Sequence, residues 1–293
     1  MKDFDGPVSA FDVAMSIGER LAKAAVGAKI DGKLSDLSTV IESDAELALI
    51  TPTTRDKEPD ADALFLCRHS AAHVMAEAIQ RVVPGAQLVY GPPLDNGFYY
   101  DIAFPEDRPL REGDFEAIEK EMDSIIKEDR AFTRYDMPVG EGMEKLKGEG
   151  SKYKIDNAER AVGVGADALS WYTTGTPGEN WEDLCRGPHV PSTGRIGAIK
   201  VMSLASSYWH GDETSDRLTR VYGTAFFSKK DLNKHLEQLE EAKKRDHRVL
   251  GKQLDLFLID EDVGQGLVMW SPRGSIIRKE LQDFIGGELK KQG

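Results

Sequence analysis

Two pairs of side chains suited to metal binding or acid–base work stand out: His69-Ser70-Ala71-Ala72-His73 and, far downstream, Cys185-Arg186-Gly187-Pro188-His189. Helical residues i and i+4 share a face, so His69 and His73 can converge on one point. Cys185 is one of only two cysteines in the chain. Neutral imidazole and thiolate are preferred ligands of zinc, which takes four of them in tetrahedral geometry. The wide separation of the pairs is not that of a zinc finger, so the fold must exist first and the site is expected in a cleft. An ion held by all four residues would keep no position for water and would be structural; metal catalysis needs an open position. Without metal, a histidine can serve as general base on water. A Cys–His pair also raises a thiol nucleophile, yet no nucleophile elbow or oxyanion motif surrounds Cys185, which favours water activation. Asp183 is expected on one strand face with Cys185, orienting an imidazole or fixing a substrate amine; a surface or turn carboxylate is the equal alternative.

These residues need elements to hold them. Helical periodicity runs from Ala63 to Val83, stopped by Pro84-Gly85, with Ala72, Met75, Ile79 and Val82 as the buried stripe and His69 and His73 at its edge. A lone histidine there would more often be a core residue satisfied by hydrogen bonds; the i,i+4 pair tips the balance the other way. Leu88–Tyr90 and Phe98–Ile102 read as strands around a Gly-Pro-Pro turn, with Phe98 and Tyr100 on one face. An acidic helix is expected at 114–130, and 139–173 is mixed and hard to read. Strands follow at 198–204 and 218–227, then one long helix at 230–251, strands near 255–257 and 266–270, and an amphipathic helix at 276–291. Ahead of all this, residues 1–53 suggest a small α+β unit. It has a helix at 8–26, strands at 28–30 and 46–50 and a turn at Asp31-Gly32-Lys33, and a polar linker, 51–62, follows it.

The chain of 293 residues has room for more than one core, and 40% hydrophobic with 30% charged residues is the balance of an ordinary folded protein. No run approaches a membrane span, the first residues do not form a signal peptide, and two cysteines make no disulfide framework, so a reducing cytoplasm is expected. A net charge of −13 argues against coating nucleic acid indiscriminately. Any RNA contact must be local, and 229–252, with eight Lys/Arg against five Asp/Glu, is the candidate.

Five motifs in order carry a resemblance. They are His69-Ser-Ala-Ala-His73, Tyr90-Gly-Pro-Pro-Leu-Asp-Asn-Gly-Phe-Tyr-Tyr-Asp101, Asp183-Leu-Cys-Arg-Gly-Pro-His189, Tyr222-Gly-Thr-Ala225, and Lys244-Arg-Asp-His-Arg248 with Gly251-Lys-Gln-Leu-Asp-Leu256. Together they resemble the amino-terminal half of the bacterial threonyl-tRNA synthetase family over nearly the whole chain. The resemblance implies an α+β chain with an ubiquitin-like β-grasp (TGS) domain at 1–54. An editing domain of the type shared with alanyl-tRNA synthetases, built on an antiparallel sheet, follows at 60–228. A linker helix at 229–252 and the start of a class II catalytic domain at 253–293 complete it. It also implies hydrolysis of the ester of tRNA(Thr) mischarged with serine. His69, His73, Cys185, His189, Asp183 and Lys154 would be the working residues, and Tyr100, Lys154 and Asp183 would contact substrate. Lys243, Lys244, Arg245 and Arg248 would contact the tRNA backbone.

Zinc on His69, His73, Cys185 and His189 is optional in this reading; ATP and a catalytic-domain zinc belong to the full-length enzyme, a homodimer. Neither DNA nor a membrane is an expected partner. Three departures shape the expectation. The start at Met1 suggests an incomplete β-grasp domain, and His210 replaces a basic residue in Tyr208-Trp209-His210-Gly211-Asp212. The end at Gly293 falls inside motif 1, which suggests a monomeric editing fragment that does not activate threonine. Two other readings remain: a tRNA-binding module with a structural zinc and no catalysis, and a zinc-dependent editor of alanyl-tRNA type.

Overall fold

The computed structural model describes residues 2–260, 262–264 and 266–293. Met1, Glu261 and Gln265, which fall in the expected β-grasp and class II segments, lie outside the described residues. The chain divides into two compact units, 1–232 and 233–293.

The first unit opens with β1 (Val8–Ser9), α1 (Ala10–Ile17), α2 (Glu19–Ala24), β2 (Gly27–Ile30), β3 (Lys33–Ser35), β4 (Val40–Ile41) and β5 (Leu47–Ile50). The single helix expected at 8–26 is two, because the chain turns at Gly18 and Ser9 caps α1 by accepting from the Asp12 amide at 3.1 Å. Strands β3-β2-β5 form one antiparallel sheet and β1 pairs with β4. The β2–β3 hairpin pairs Ile30 with Lys33, which leaves Asp31-Gly32 as a two-residue turn with both φ angles positive; this is the favoured hairpin chemistry of Asp-Gly. Ala10, Ala25, Ala28 and Leu37 form its small core.

The larger part follows with α3 (Ala61–Val82), β6 (Gln87–Tyr90), β7 (Pro93–Leu94), β8 (Gly97–Ala103), α4 (Phe115–Lys127) and β9 (Phe132–Pro138). Next come α5 (Val139–Gly148), α6 (Lys152–Gly163), β10 (Ala168–Thr174), β11 (Glu182–Leu184), β12 (Ala198–Tyr208) and β13 (Arg217–Phe226). The segment that was hard to read thus resolves into two helices and a strand. An antiparallel sheet in the order β12-β13-β8-β6, with β7 on β8, packs against α3 and α4; a second sheet, β11-β10-β9, carries α5 and α6. Helix α3 starts with Asp60 accepting from the Ala63 amide at 3.0 Å, and from Leu66 to Ile79 every residue is buried. Such an all-round buried helix belongs in the centre of a core, and the narrow stripe read from sequence underestimates it.

The second unit takes in most of α7 (Lys229–Lys244), then α8 (His247–Gln253), the β14 (Phe257–Ile259) and β15 (Val268–Trp270) hairpin, and α9 (Pro272–Gln292). The expected single helix at 230–251 is broken at Arg245-Asp246, where Asp246 begins a new helix by accepting from the Arg248 amide at 2.8 Å. The compact units divide at Leu232/Asn233, inside α7, so the second unit starts four residues beyond the linker start read from sequence.

Strand β8 approaches β13 so closely that a Cβ at Gly97 would overlap the Gly223 carbonyl oxygen, which is backbone and has nowhere to move. Gly97→Ala should therefore cost about 1–3 kcal/mol by overpacking, read as a lower urea midpoint; an unchanged midpoint would refute the close approach.

Candidate functional site

Helix α3 delivers His69 and His73, and the loop after β11 delivers Cys185 and His189. The four ligand atoms lie within 4.8 Å of one another. Their orientation follows from hydrogen-bond accounting. His69 Nδ1 lies 3.0 Å from the Pro188 carbonyl oxygen, which only accepts, so Nδ1 carries the proton and Nε2 presents a lone pair. Ser70 has one hydroxyl proton, donated to the Leu66 carbonyl at 2.8 Å. Its Oγ therefore accepts from the Val190 amide at 3.0 Å and from His189 Nδ1 at 3.1 Å. His189 is thus also protonated at Nδ1. Both Nε2 lone pairs face Cys185 Sγ, at 3.3 Å for His69 and 3.5 Å for His189.

Burial lowers the pKa of His69 to about 4 and that of His73 to about 3, and holds His189 well below the ordinary histidine value. All three rings are therefore neutral near pH 7. Burial likewise pushes the Cys185 thiol up to about 12, so it is protonated and a poor nucleophile, in keeping with an orienting role. A Cβ at Gly187, whose φ is 69°, would strike the Tyr172 hydroxyl; only glycine lets the loop fold back here.

These residues fit a metal. Bond lengths of about 2.0 Å to nitrogen and 2.3 Å to sulfur give tetrahedral N–S edges of roughly 3.5 Å, which the two Sγ–Nε2 separations match. The His73 Nδ1 is buried with no hydrogen-bond partner. Imidazoles whose outer nitrogen is tied to a carbonyl or hydroxyl have the second-shell support typical of ligands.

A cleft of about 660 Å³ opens beside the cluster, lined by His69, His73, Cys185, Tyr100, Lys154 and Asp183 and by apolar Val89, Pro92, Ala161 and Leu169. His189 is 1% exposed and is not among the lining residues. It stands behind the other three, stacked on Phe132 at 4.9 Å between ring centroids. To the same cleft α6 contributes Lys154, whose ammonium lies 2.6 Å from Asp183 Oδ1 and 2.9 Å from the Tyr100 hydroxyl. Tyr100 donates to the other oxygen of Asp183, so it accepts from Lys154. Two of the three ammonium protons are thereby committed and one remains for a ligand in the cleft. Burial disfavours the Asp183 anion, but Lys154, with His73 and Tyr100, outweighs it and holds the carboxyl below its ordinary pKa. Tyr100 is raised well above the usual phenol value by burial and by that carboxylate.

Sequence reasoning had named each of these six groups, though Asp183 follows from strand spacing and Lys154 and Tyr100 from the resemblance alone. It missed Ser70, hidden inside the quoted His-Ser-Ala-Ala-His motif, and Tyr172. It also missed Asp36, in the β-grasp region, which accepts from the His189 amide at 2.7 Å and from the Tyr172 hydroxyl at 2.5 Å. No local pattern marks Asp36. His210 lies 2.9 Å from Arg160 and 3.2 Å from Asp156 and stacks on Trp209, so it is held among protein groups. Lys243, Lys244, Arg245 and Arg248 belong to the second unit and are exposed. Each pairs with Glu240, Glu241 or Asp246, at 2.8, 2.9, 3.7 and 2.7 Å respectively. Each of these four cations therefore has an acidic neighbour, while the stretch as a whole stays net positive.

Comparison with known proteins matches two parts of the chain to domain models and the whole of it to curated relatives. The TGS domain model matches residues 1–51, and the model described as the threonyl and alanyl tRNA synthetase second additional domain matches 170–222. The threonine–tRNA ligase of Thiobacillus denitrificans is 44% identical over 100% of this chain and 44% of its own length. That of Citrifermentans bemidjiense is 45% identical over 97% of this chain and 42% of its own length, and that of Burkholderia vietnamiensis is 42% identical over 100% and 44%. The chain thus spans less than half the length of the curated relatives it matches. It carries matches to a TGS domain and to a synthetase second additional domain, and it is similar throughout to the amino-terminal region of bacterial threonine–tRNA ligases.

Proposed function

We propose that the cleft hydrolyses the ester linking serine to the 3′ end of tRNA(Thr), the proofreading step of a threonine–tRNA ligase. The observation that carries this reading is one buried cationic donor, Lys154, anchored by Asp183 and Tyr100 and lining the same cleft as the neutral imidazoles of His69 and His73. Serine lacks only threonine's methyl, worth about 1–3 kcal/mol in a binding pocket. A second site that admits serine and sterically rejects the methyl supplies the remaining discrimination.

His69 and His73 orient a water by hydrogen bonding, since their depressed pKa values suit them poorly to storing its proton. Water attacks the carbonyl carbon while the free Lys154 N–H stabilises charge on the ester oxygen. The C–O bond to ribose breaks, one water proton ends on the ribose hydroxyl, and the other is released as serine leaves as a carboxylate. Cys185 shapes the pocket, and Tyr100 contacts the terminal adenosine. Lys243, Lys244, Arg245 and Arg248 would meet tRNA phosphates by exchanging their present acidic partners, which makes binding fall with salt. Both cysteines are free, consistent with work in the cytoplasm, and no helix of the described residues is long and apolar enough to cross a membrane.

A second reading has its own observation, the two imidazoles locked with Nε2 toward the thiol. In it, His69, His73, Cys185 and His189 hold a zinc ion. With all four engaged it would act structurally, and with one position yielded to water it would supply Lewis acidity.

Ser-tRNA(Thr) should be hydrolysed at least about tenfold faster than Thr-tRNA(Thr). Lys154→Met should lower kcat about 100-fold, and His73→Ala should lower it too; unchanged rates in variants that remain folded would remove these roles. Protein stripped of metal by chelator, with metal content measured, should retain its deacylation rate. Loss of activity restored by added zinc would instead select the metal-bearing form.

A further inference from the structure

The Cys185–His189 loop is held by more than the elements beside it. His69 Nδ1 binds the Pro188 carbonyl, and Ser70 binds His189 Nδ1 and the Val190 amide, so α3 fixes two points. The remaining backbone donor, the His189 amide, goes to a residue distant in sequence. Asp36, on the turn between β3 and β4, accepts it at 2.7 Å through Oδ1 and takes the Tyr172 hydroxyl at 2.5 Å through Oδ2. Asp36 is 9% exposed, Tyr172 1% and His189 1%. The Tyr172 ring also meets the His189 ring edge-on, with centroids 4.4 Å apart, and its hydroxyl occupies the space a Cβ on Gly187 would need. One buried carboxylate therefore sets the loop from both sides, by its backbone and by the aromatic wall it folds against. Burial raises the Asp36 carboxyl above its ordinary pKa, and the two donors, one on each oxygen, work against that rise.

We propose that Asp36 is a positioning residue of the deacylation centre. On this account the β-grasp region is a component of the editing site and not an appendage to it. This rests on the hydrolytic reading above, since it concerns the same site. Asp36 is not among the residues that line the cleft; it acts through His189, which in turn backs Cys185 and stacks on His69 with ring centroids 4.2 Å apart. Loss of a buried supporting partner of this kind typically costs 10–100-fold in activity, because small displacements of aligned groups are expensive.

The test uses the full chain. Asp36→Ala removes both acceptors, Asp36→Asn keeps one acceptor for the His189 amide and a donor toward Tyr172, and Tyr172→Phe removes one hydroxyl. At a temperature well below unfolding, Asp36→Ala should lower kcat for Ser-tRNA(Thr) by about tenfold or more with KM within about twofold, and Asp36→Asn should restore most of it. An imidazole nitrogen NMR spectrum supplies a readout independent of turnover. The His69 and His189 tautomer signals should change in Asp36→Ala and persist in Asp36→Asn, and the His189 amide should lose exchange protection in Asp36→Ala alone. Folded Asp36→Ala with wild-type kcat and unchanged imidazole signals overturns the proposal. If Asp36→Ala fails to fold, Tyr172→Phe decides: a several-fold fall in kcat supports it and a wild-type value overturns it. Should the wild-type chain hydrolyse neither ester while the NMR changes appear as described, the hydrolytic reading fails and the positioning role of Asp36 stands.

Discussion

Complete burial of a polar helix segment is the constraint from which the rest of this molecule follows. Between Leu66 and Ile79, α3 exposes almost nothing, yet it carries Arg68, His69, Ser70, His73 and Glu77. A polar group left unpaired in such a place costs more than its hydrogen bond would have gained, so Arg68, His69, Ser70 and Glu77 each reach into a neighbouring layer, while Arg68 Nε and His73 Nδ1 are left without a partner. Arg68 donates to the Asp95 carbonyl in the loop before β8. Glu77 gathers Arg81 and Arg130 at 2.7 Å each and the Thr174 hydroxyl at 2.8 Å, tying α3 to β10 and to the residues before β9. His69 and Ser70 take the Cys185–His189 loop. Apolar packing makes α3 the centre of the unit; its polar side chains determine which segments surround it and in what register.

The same accounting fixes protonation. Ser70 has a single proton and spends it on Leu66, which leaves His189 to donate, and the Pro188 carbonyl leaves His69 no choice either. Burial then keeps the rings neutral. Beside them the balance is different: the Asp183 carboxyl is held below its ordinary pKa chiefly by its partner Lys154, with Tyr100 as the link. The cleft therefore has one side able to orient water and one able to meet developing negative charge. It obtains both without an exposed ion.

Sequence made the centre of this site legible because its chemistry is local. An i,i+4 histidine pair and a Cys-Arg-Gly-Pro-His run are each readable in a few residues. Where the reading fell short, the information was non-local. The 8–26 and 230–251 helices were drawn too long because periodicity continues across Gly18 and Asp246 while the backbone does not. Burial of α3 on all sides could not be read from its stripe, since alanine is compatible with either environment. Asp36 was invisible for the same reason: an aspartate in a Ser-Asp-Leu-Ser turn looks like turn chemistry until the fold places the His189 amide against it. The basic residues near 243–248 show the converse, a composition signal that pairing with adjacent glutamates and Asp246 largely cancels locally.

Three imidazoles and a thiol turned toward one another make a poor way to fill a core. Cys185 can donate its one proton to only one of the two Nε2 lone pairs that face it, and His73 Nδ1 has no partner at all. Aliphatic residues of similar volume would satisfy the same space without that deficit. Three polar groups that hold the cluster and its cleft are, by contrast, fully matched: Asp36 uses both oxygens, Ser70 its proton and two acceptor positions, Asp183 both oxygens. Local under-satisfaction inside a shell this well satisfied is where a functional requirement overrides stability. The missing partner is what a water or a metal ion seated within the cluster would provide.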